Sequence, residues 1–107
     1  MTVQKLKKTA EFRNIFRIGA KRTGRYLSVY VMPNETVVNR IGFVVKKEIG
    51  NAVQRNRIKR VLREIWRQKG NRLISGCDVI IMAKKAILHA TFECIQNDLL
   101  ELIDNLS

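Results

Sequence analysis

The chain is poor in the residues that most metal and nucleophile chemistry needs. Its 107 residues include one histidine, two cysteines and nine acids. His89 stands alone beside Ala90 ahead of a helix, where a surface or capping role suits it. Cys77 and Cys94 form no CxxC pair and both lie in apolar runs. They read as buried thiols of a reducing compartment, with no disulfide required. There is no Cys/His cluster of metal-ligand spacing, no GxxxxGK or GxGxxG, and no second carboxylate near Asp78 in sequence. No apolar run approaches bilayer length, and the basic start lacks the apolar stretch of a signal peptide. These absences argue against an active site or a membrane span and leave a binding module.

What the chain has in quantity is positive charge. Lys and Arg number 21 and the formal net charge is +12, which points to an anionic partner. The charge is uneven. Residues 5 to 25 carry eight basic groups and one acid, whereas residues 90 to 107 carry four acids and no Lys or Arg. Such a split predicts a defined basic surface on a single domain spanning 1–107, with residues 1–8 a weakly structured lead-in.

The densest basic stretch is GNAVQRNRIKRVLREIWRQK, 50–69. Ile58, Val61, Leu62 and Ile65 recur at helical spacing with Trp66 beside them, so one face can bury. Asn56, Arg60, Arg63 and Arg67 fall opposite, flanked by Arg57 and Lys59. Like charges three and four apart weaken a free helix, and a polyanion turns that repulsion into attraction. Asn51 and Gln54 have the spacing of a capping box, and Gly70 is placed to end the helix in a left-handed conformation. A charged helix face is ordinarily only solvated. Here five of the seven basic groups are arginines, whose planar fork matches phosphate.

Around this helix the pattern predicts a short helix over 10–18, with Thr9 as cap and Gly19 as terminator, then a polar basic loop over 20–25. The segment 25–32 alternates as a strand, with Tyr26, Ser28 and Tyr30 on one face. Pro33, Asn34 and Glu35 make a turn, and 37–45 forms a second strand paired to the first as a hairpin. Lys46 to Ile49 extend it or make a short third strand. Residues 71–76 form a loop or turn, and 77–84 form an apolar central strand. Thr91 caps a last helix with Phe92, Ile95, Leu99, Leu102, Ile103 and Leu106 inward, and Glu93, Asp98, Glu101 and Asp104 outward. Phe12 and Phe16, one helical turn apart, are either core or one wall of a groove. A groove with aromatics and an arginine border suits single-stranded nucleic acid.

The run GNAVQRNRIKRVLRE at 50–64 resembles the protein subunit of bacterial ribonuclease P, with support from LKKTAEFRNIFRIG at 6–19, IGFVVKKEIG at 41–50 and DVIIMAKK at 78–85. The resemblance implies an α+β, two-layer α-β-β-β-α-β-α sandwich with a four-stranded mixed sheet. It also implies a left-handed β-α-β crossover around the basic helix, as in the second domain of ribosomal protein S5. It implies a bacterial, cytoplasmic RNA-binding cofactor without catalytic residues of its own. The RNA subunit of that ribonucleoprotein holds the Mg²⁺ ions and removes the 5′ leader of precursor tRNA. By the same resemblance Arg55, Asn56, Arg57, Lys59, Arg60, Arg63 and Arg67 face the RNA subunit. Phe12, Phe16 and Tyr30 line a cleft for the leader, with Arg13, Arg17 and Lys46 at its border. No membrane and no obligate protein partner is implied. Lys46 and Glu48 depart from the Ser and Lys more common there, which reads as local retuning. The basic helix alone also suits a ribosomal-type assembly protein, or a DNA-binding module that lays a helix in the major groove.

Overall fold

The computed structural model describes residues 4–6, 9–70 and 74–104. Expectations for 1–3, 7–8, 71–73 and Leu106 lie outside the described residues. The elements run β1 (Gln4–Lys5), α1 (Thr9–Ile18), β2 (Ala20–Thr23), β3 (Leu27–Pro33), β4 (Arg40–Val44), α2 (Ala52–Gln68), β5 (Cys77–Ala83) and α3 (Phe92–Asp104). With the two-residue β1 set aside, this is the expected α-β-β-β-α-β-α order around a four-stranded mixed sheet.

The sheet order is β1-β4-β5-β3-β2, which places β5 at the centre. There β5 pairs antiparallel with β3 and parallel with β4. Its continuous apolar run follows from cover on both faces: Val79 and Ile81 face one side and Ile80 the other. The expected hairpin between 25–32 and 37–45 does not form, because β5 is inserted between those two strands. The hairpin partner of β3 is β2, the segment read as a loop, with Ala20 opposite Val31 and Thr23 opposite Ser28. Every residue of β2 is exposed, so no hydrophobic period marks it as a strand. Lys46 to Ile49 add no strand either; a 3-10 turn at Lys47–Ile49 tucks Ile49 into the core. The lead-in is more ordered than expected at 4–6, where β1 pairs in parallel with the start of β4 and Leu6 is buried.

The main layers are the sheet and the pair α2 and α3. Leu27, Val29, Ile41, Val79 and Ile81 of the sheet meet Ile58, Leu62, Ile65 and Trp66 of α2 and Ile95, Leu99, Leu102 and Ile103 of α3. Within α2 Trp66 is buried in the core, and Val61 is half-buried and packs against it. The capping box forms: Asn51 Oδ1 accepts the Gln54 N–H at 2.8 Å and Gln54 Oε1 accepts the Asn51 N–H at 2.9 Å. Gly70 is not left-handed; among the described glycines only Gly76 lies in the left-handed region, with a φ of 66°. Gly70 is required by packing, since a Cβ there would stand 2.5 Å from the Trp66 ring. On α3, Phe92 is exposed rather than inward, and Cys94 is exposed rather than buried, while Cys77 is half-buried. Asp98 is not merely solvated. Its carboxylate accepts the backbone N–H groups of Arg25 and Tyr26 at 3.2 and 2.9 Å, fastening the β2–β3 turn to α3. The other face of the sheet receives α1, where Ile15 packs with Leu6 and Ile80. Among the described residues no helix is long and apolar enough to cross a membrane.

Candidate nucleic-acid interface

The buried stripe of α2 fixes which of its side chains meet solvent. Asn56, Arg57, Arg60, Arg63 and Arg67 are exposed, and Lys59 is half-buried. Arg55 turns back at the helix start, where its Nε donates to the Gly50 carbonyl at 3.1 Å. Arg67 is forked on Glu64, the only acid of the helix, through contacts of 2.5 and 3.2 Å. That pairing raises the Arg67 pKa and lowers that of Glu64. Among the described residues Arg57, Arg60 and Arg63 of the outer face form no ion pair. The Arg63 guanidinium lies 5.9 Å from the Phe43 ring centre and so leans toward the β4 edge.

Phe12, Phe16 and Tyr30 gather on the face of the sheet opposite α2, packed against the Leu6, Ile15 and Ile80 cluster. All three are half-buried, so each presents part of its ring to solvent. Phe16 meets Tyr30 edge-on with centroids 4.8 Å apart. Phe12 lies over Gly42, where a Cβ would stand 2.6 Å from the ring, so the absence of a side chain lets α1 approach β4. Tyr26 does not share this face; it packs with the core on the α2 and α3 side. Arg13 and Arg17 are exposed on α1, and Arg17 donates to Asn14 Oδ1 at 3.3 Å. Lys46 is exposed beyond the end of β4.

Lys21 joins this region unforeseen. The β2–β3 register sets it opposite Tyr30, with its Nζ 5.4 Å from the ring centre. Nothing in a local reading of AKRT carries that signal. Lys5 was likewise assigned to the lead-in. A cavity of about 170 Å³ is lined by Lys5 together with Phe12 and Gly42 on one side and Phe43, Lys59 and Arg63 on the other.

A polar network beneath α1 was also invisible in the sequence. Arg40 on β4 donates from Nε to Asp78 Oδ1 at 2.7 Å and from Nη2 to Oδ2 at 2.5 Å, and its Nη1 binds Glu11 of α1. Asn34 adds a bond to Asp78 Oδ1 at 3.0 Å. Burial of Asp78 pushes its carboxyl up. The hydrogen bonds from Arg40 and Asn34 and the Arg40 charge outweigh this and hold it below the usual carboxylate range. A carboxylate opening an otherwise apolar strand was the available hint, since a buried charge needs a partner.

The family model described as Ribonuclease P matches residues 2–107. The ribonuclease P protein component of Caldanaerobacter subterraneus is 39% identical over 99 residues, covering 92% of this chain and 85% of that protein. The one from Natranaerobius thermophilus is 42% identical over 79 residues, covering 74% and 69%. Among solved structures, the RNase P protein of Staphylococcus aureus superposes with a TM-score of 0.89 at 33% identity, covering 99% of this chain and 97% of that one. The RNase P protein of Thermotoga maritima gives 0.89 at 28% identity, covering 97% and 98%.

Proposed function

Because the chain belongs to the bacterial ribonuclease P protein family, and so acts with the catalytic RNA subunit in removing the 5′ leader of precursor tRNA, we propose that its two basic surfaces divide the work. The outer face of α2 holds the RNA subunit, with Arg57, Arg60 and Arg63 on phosphates, Asn56 and Lys59 beside them, and Arg55 and Arg67 at the two ends. The aromatic face holds the leader, with Phe12, Phe16 and Tyr30 against its bases and Arg13, Arg17 and Lys46 along its border. Stacking on aromatic rings makes little demand on sequence, which suits a processor of many precursors. The observation that carries this division is the edge-on pair of Phe16 and Tyr30, half-open on the sheet face away from α2.

The hydrolytic step belongs to the RNA subunit. The Mg²⁺ ions are proposed to sit there too, where the hydrolysis takes place. Glu11 and Asp78 grip Arg40, Glu64 grips Arg67, and no three His, Cys, Asp or Glu side chains converge among the described residues. The protein contributes fixed positive charge that screens phosphate repulsion between leader and RNA subunit, so less Mg²⁺ is needed. The bacterial cytoplasm, where precursor tRNA is made, is the compartment this role calls for. Photo-crosslinking tests the division. A photoreactive residue in place of Arg60 should capture the RNA subunit, and one in place of Tyr30 should capture the leader. Capture of one RNA by both positions would reject it.

A further inference from the structure

We propose that Arg40 is a positioning residue for the leader cleft, acting through Glu11 to set the aromatic wall of α1 against the sheet. This rests on the cleft reading above. The helix α1 has ten residues, too few to be stable alone, so its place is dictated by what it is fastened to. Near its start the fastening is the clasp, in which Arg40 bridges Asp78 on the central strand and Glu11 on the helix. Phe12 follows Glu11 directly and rests on Gly42, two residues along the same strand from Arg40. Adjacent residues of α1 thus meet adjacent same-face positions of β4. One contact is ionic and sets where the helix sits, and the other is apolar and sets how close it comes. Phe16 lies one turn further along, where it meets Tyr30.

The Arg40 fork is itself fixed. Asp78 is 1% exposed and engages two Arg40 nitrogens, and Asn34 holds the same carboxylate. A bidentate pair allows the guanidinium little rotation, so Nη1 points at Glu11 from a rigid base. Small displacements of a binding wall weaken contacts disproportionately, since stacking needs a ring at van der Waals distance from the base.

The variant that weakens this link is Glu11→Gln, which leaves the Arg40–Asp78 pair and reduces the α1 end of the clasp from an ion pair to a neutral hydrogen bond. The assay uses the assembled holoenzyme and compares affinities for precursor tRNA and leaderless tRNA across a salt series, with Phe16→Ala alongside. The expected result is a loss of about tenfold in precursor affinity, near the lower end of what one aromatic stack contributes. Leaderless tRNA and RNA-subunit affinities should hold, and so should the salt slope, because no phosphate contact is removed. The sign is informative: deleting an acid beside a polyanion by charge alone raises affinity. A gain, or no change, for Glu11→Gln while Phe16→Ala loses precursor affinity would overturn the clasp and spare the cleft. No change in either variant would overturn both. Equal losses for both tRNAs with a lowered Tm would reduce the clasp to a stabiliser of the fold and so overturn the proposal.

Discussion

Replacing Phe16 with alanine separates a leader-binding ring from a core ring. The substitution removes the edge of the Phe16–Tyr30 pair, whose centroids stand 4.8 Å apart. If a leader base stacks there, the binding loss is ~1–3 kcal/mol, or roughly five- to 150-fold in Kd. The folding cost is distinct. The ring is half-buried, so its loss falls below the ~3–5 kcal/mol typical of fully buried phenylalanine. The edge-to-face contact contributes ~0.5–1.5 kcal/mol of it. A domain of this size loses about 4–8 °C of Tm per kcal/mol, so the Tm of the free variant is read alongside to show that it is folded at the assay temperature. The assay measures holoenzyme affinity for precursor and leaderless tRNA at one salt concentration, with the Tm of the free protein. Weakened precursor binding with leaderless tRNA unaffected is the expected result. Equal losses for the two ligands would refute the stacking role.

Arg60→Ala and Arg63→Ala should each weaken RNA-subunit binding and reduce the slope of log K against log salt by about 0.7–0.9 per lost phosphate contact; titrations in a salt series check this, and an unchanged slope would move the RNA surface elsewhere. Leu62→Ala should do the opposite, lowering stability by ~2–5 kcal/mol in denaturant melts because that side chain is fully buried, while the charged face stays intact. Asp78 sets an acid limit to stability. Its folded pKa is depressed, so its contribution is fully present above the unfolded value of about 3.9 and is lost as pH falls through the lower folded value. The stability gap between wild type and Asp78→Asn should therefore be constant from neutral pH to about pH 5 and shrink below pH 4; a gap that widens on acidification would contradict the assignment.

The sequence was most legible where the structure is local. Helix α2 announced itself through the Asn51–Gln54 box and the period of Ile58, Leu62 and Ile65, all within one element. Its outer face followed from the same wheel. Pairings decided across the chain stayed hidden. The insertion of β5 between β3 and β4 is set by residues 77–83, far downstream of the two strands it separates. The polar β2 has no buried face to give it a period. The Arg40 clasp joins side chains 29 and 38 positions apart. Of the aromatic face, the spacing of Phe12 and Phe16 showed one wall, but only the β2–β3 register brought Lys21 to Tyr30.

The central claim, that this protein serves an RNA catalyst and performs no hydrolysis itself, is tested most directly by reconstitution. Bacterial ribonuclease P RNA and precursor tRNA are mixed at low Mg²⁺ with and without the protein, and with the protein alone. Leader removal should be accelerated by the protein only when the RNA subunit is present. Cleavage by the protein alone, or no gain over the RNA alone, would contradict the account.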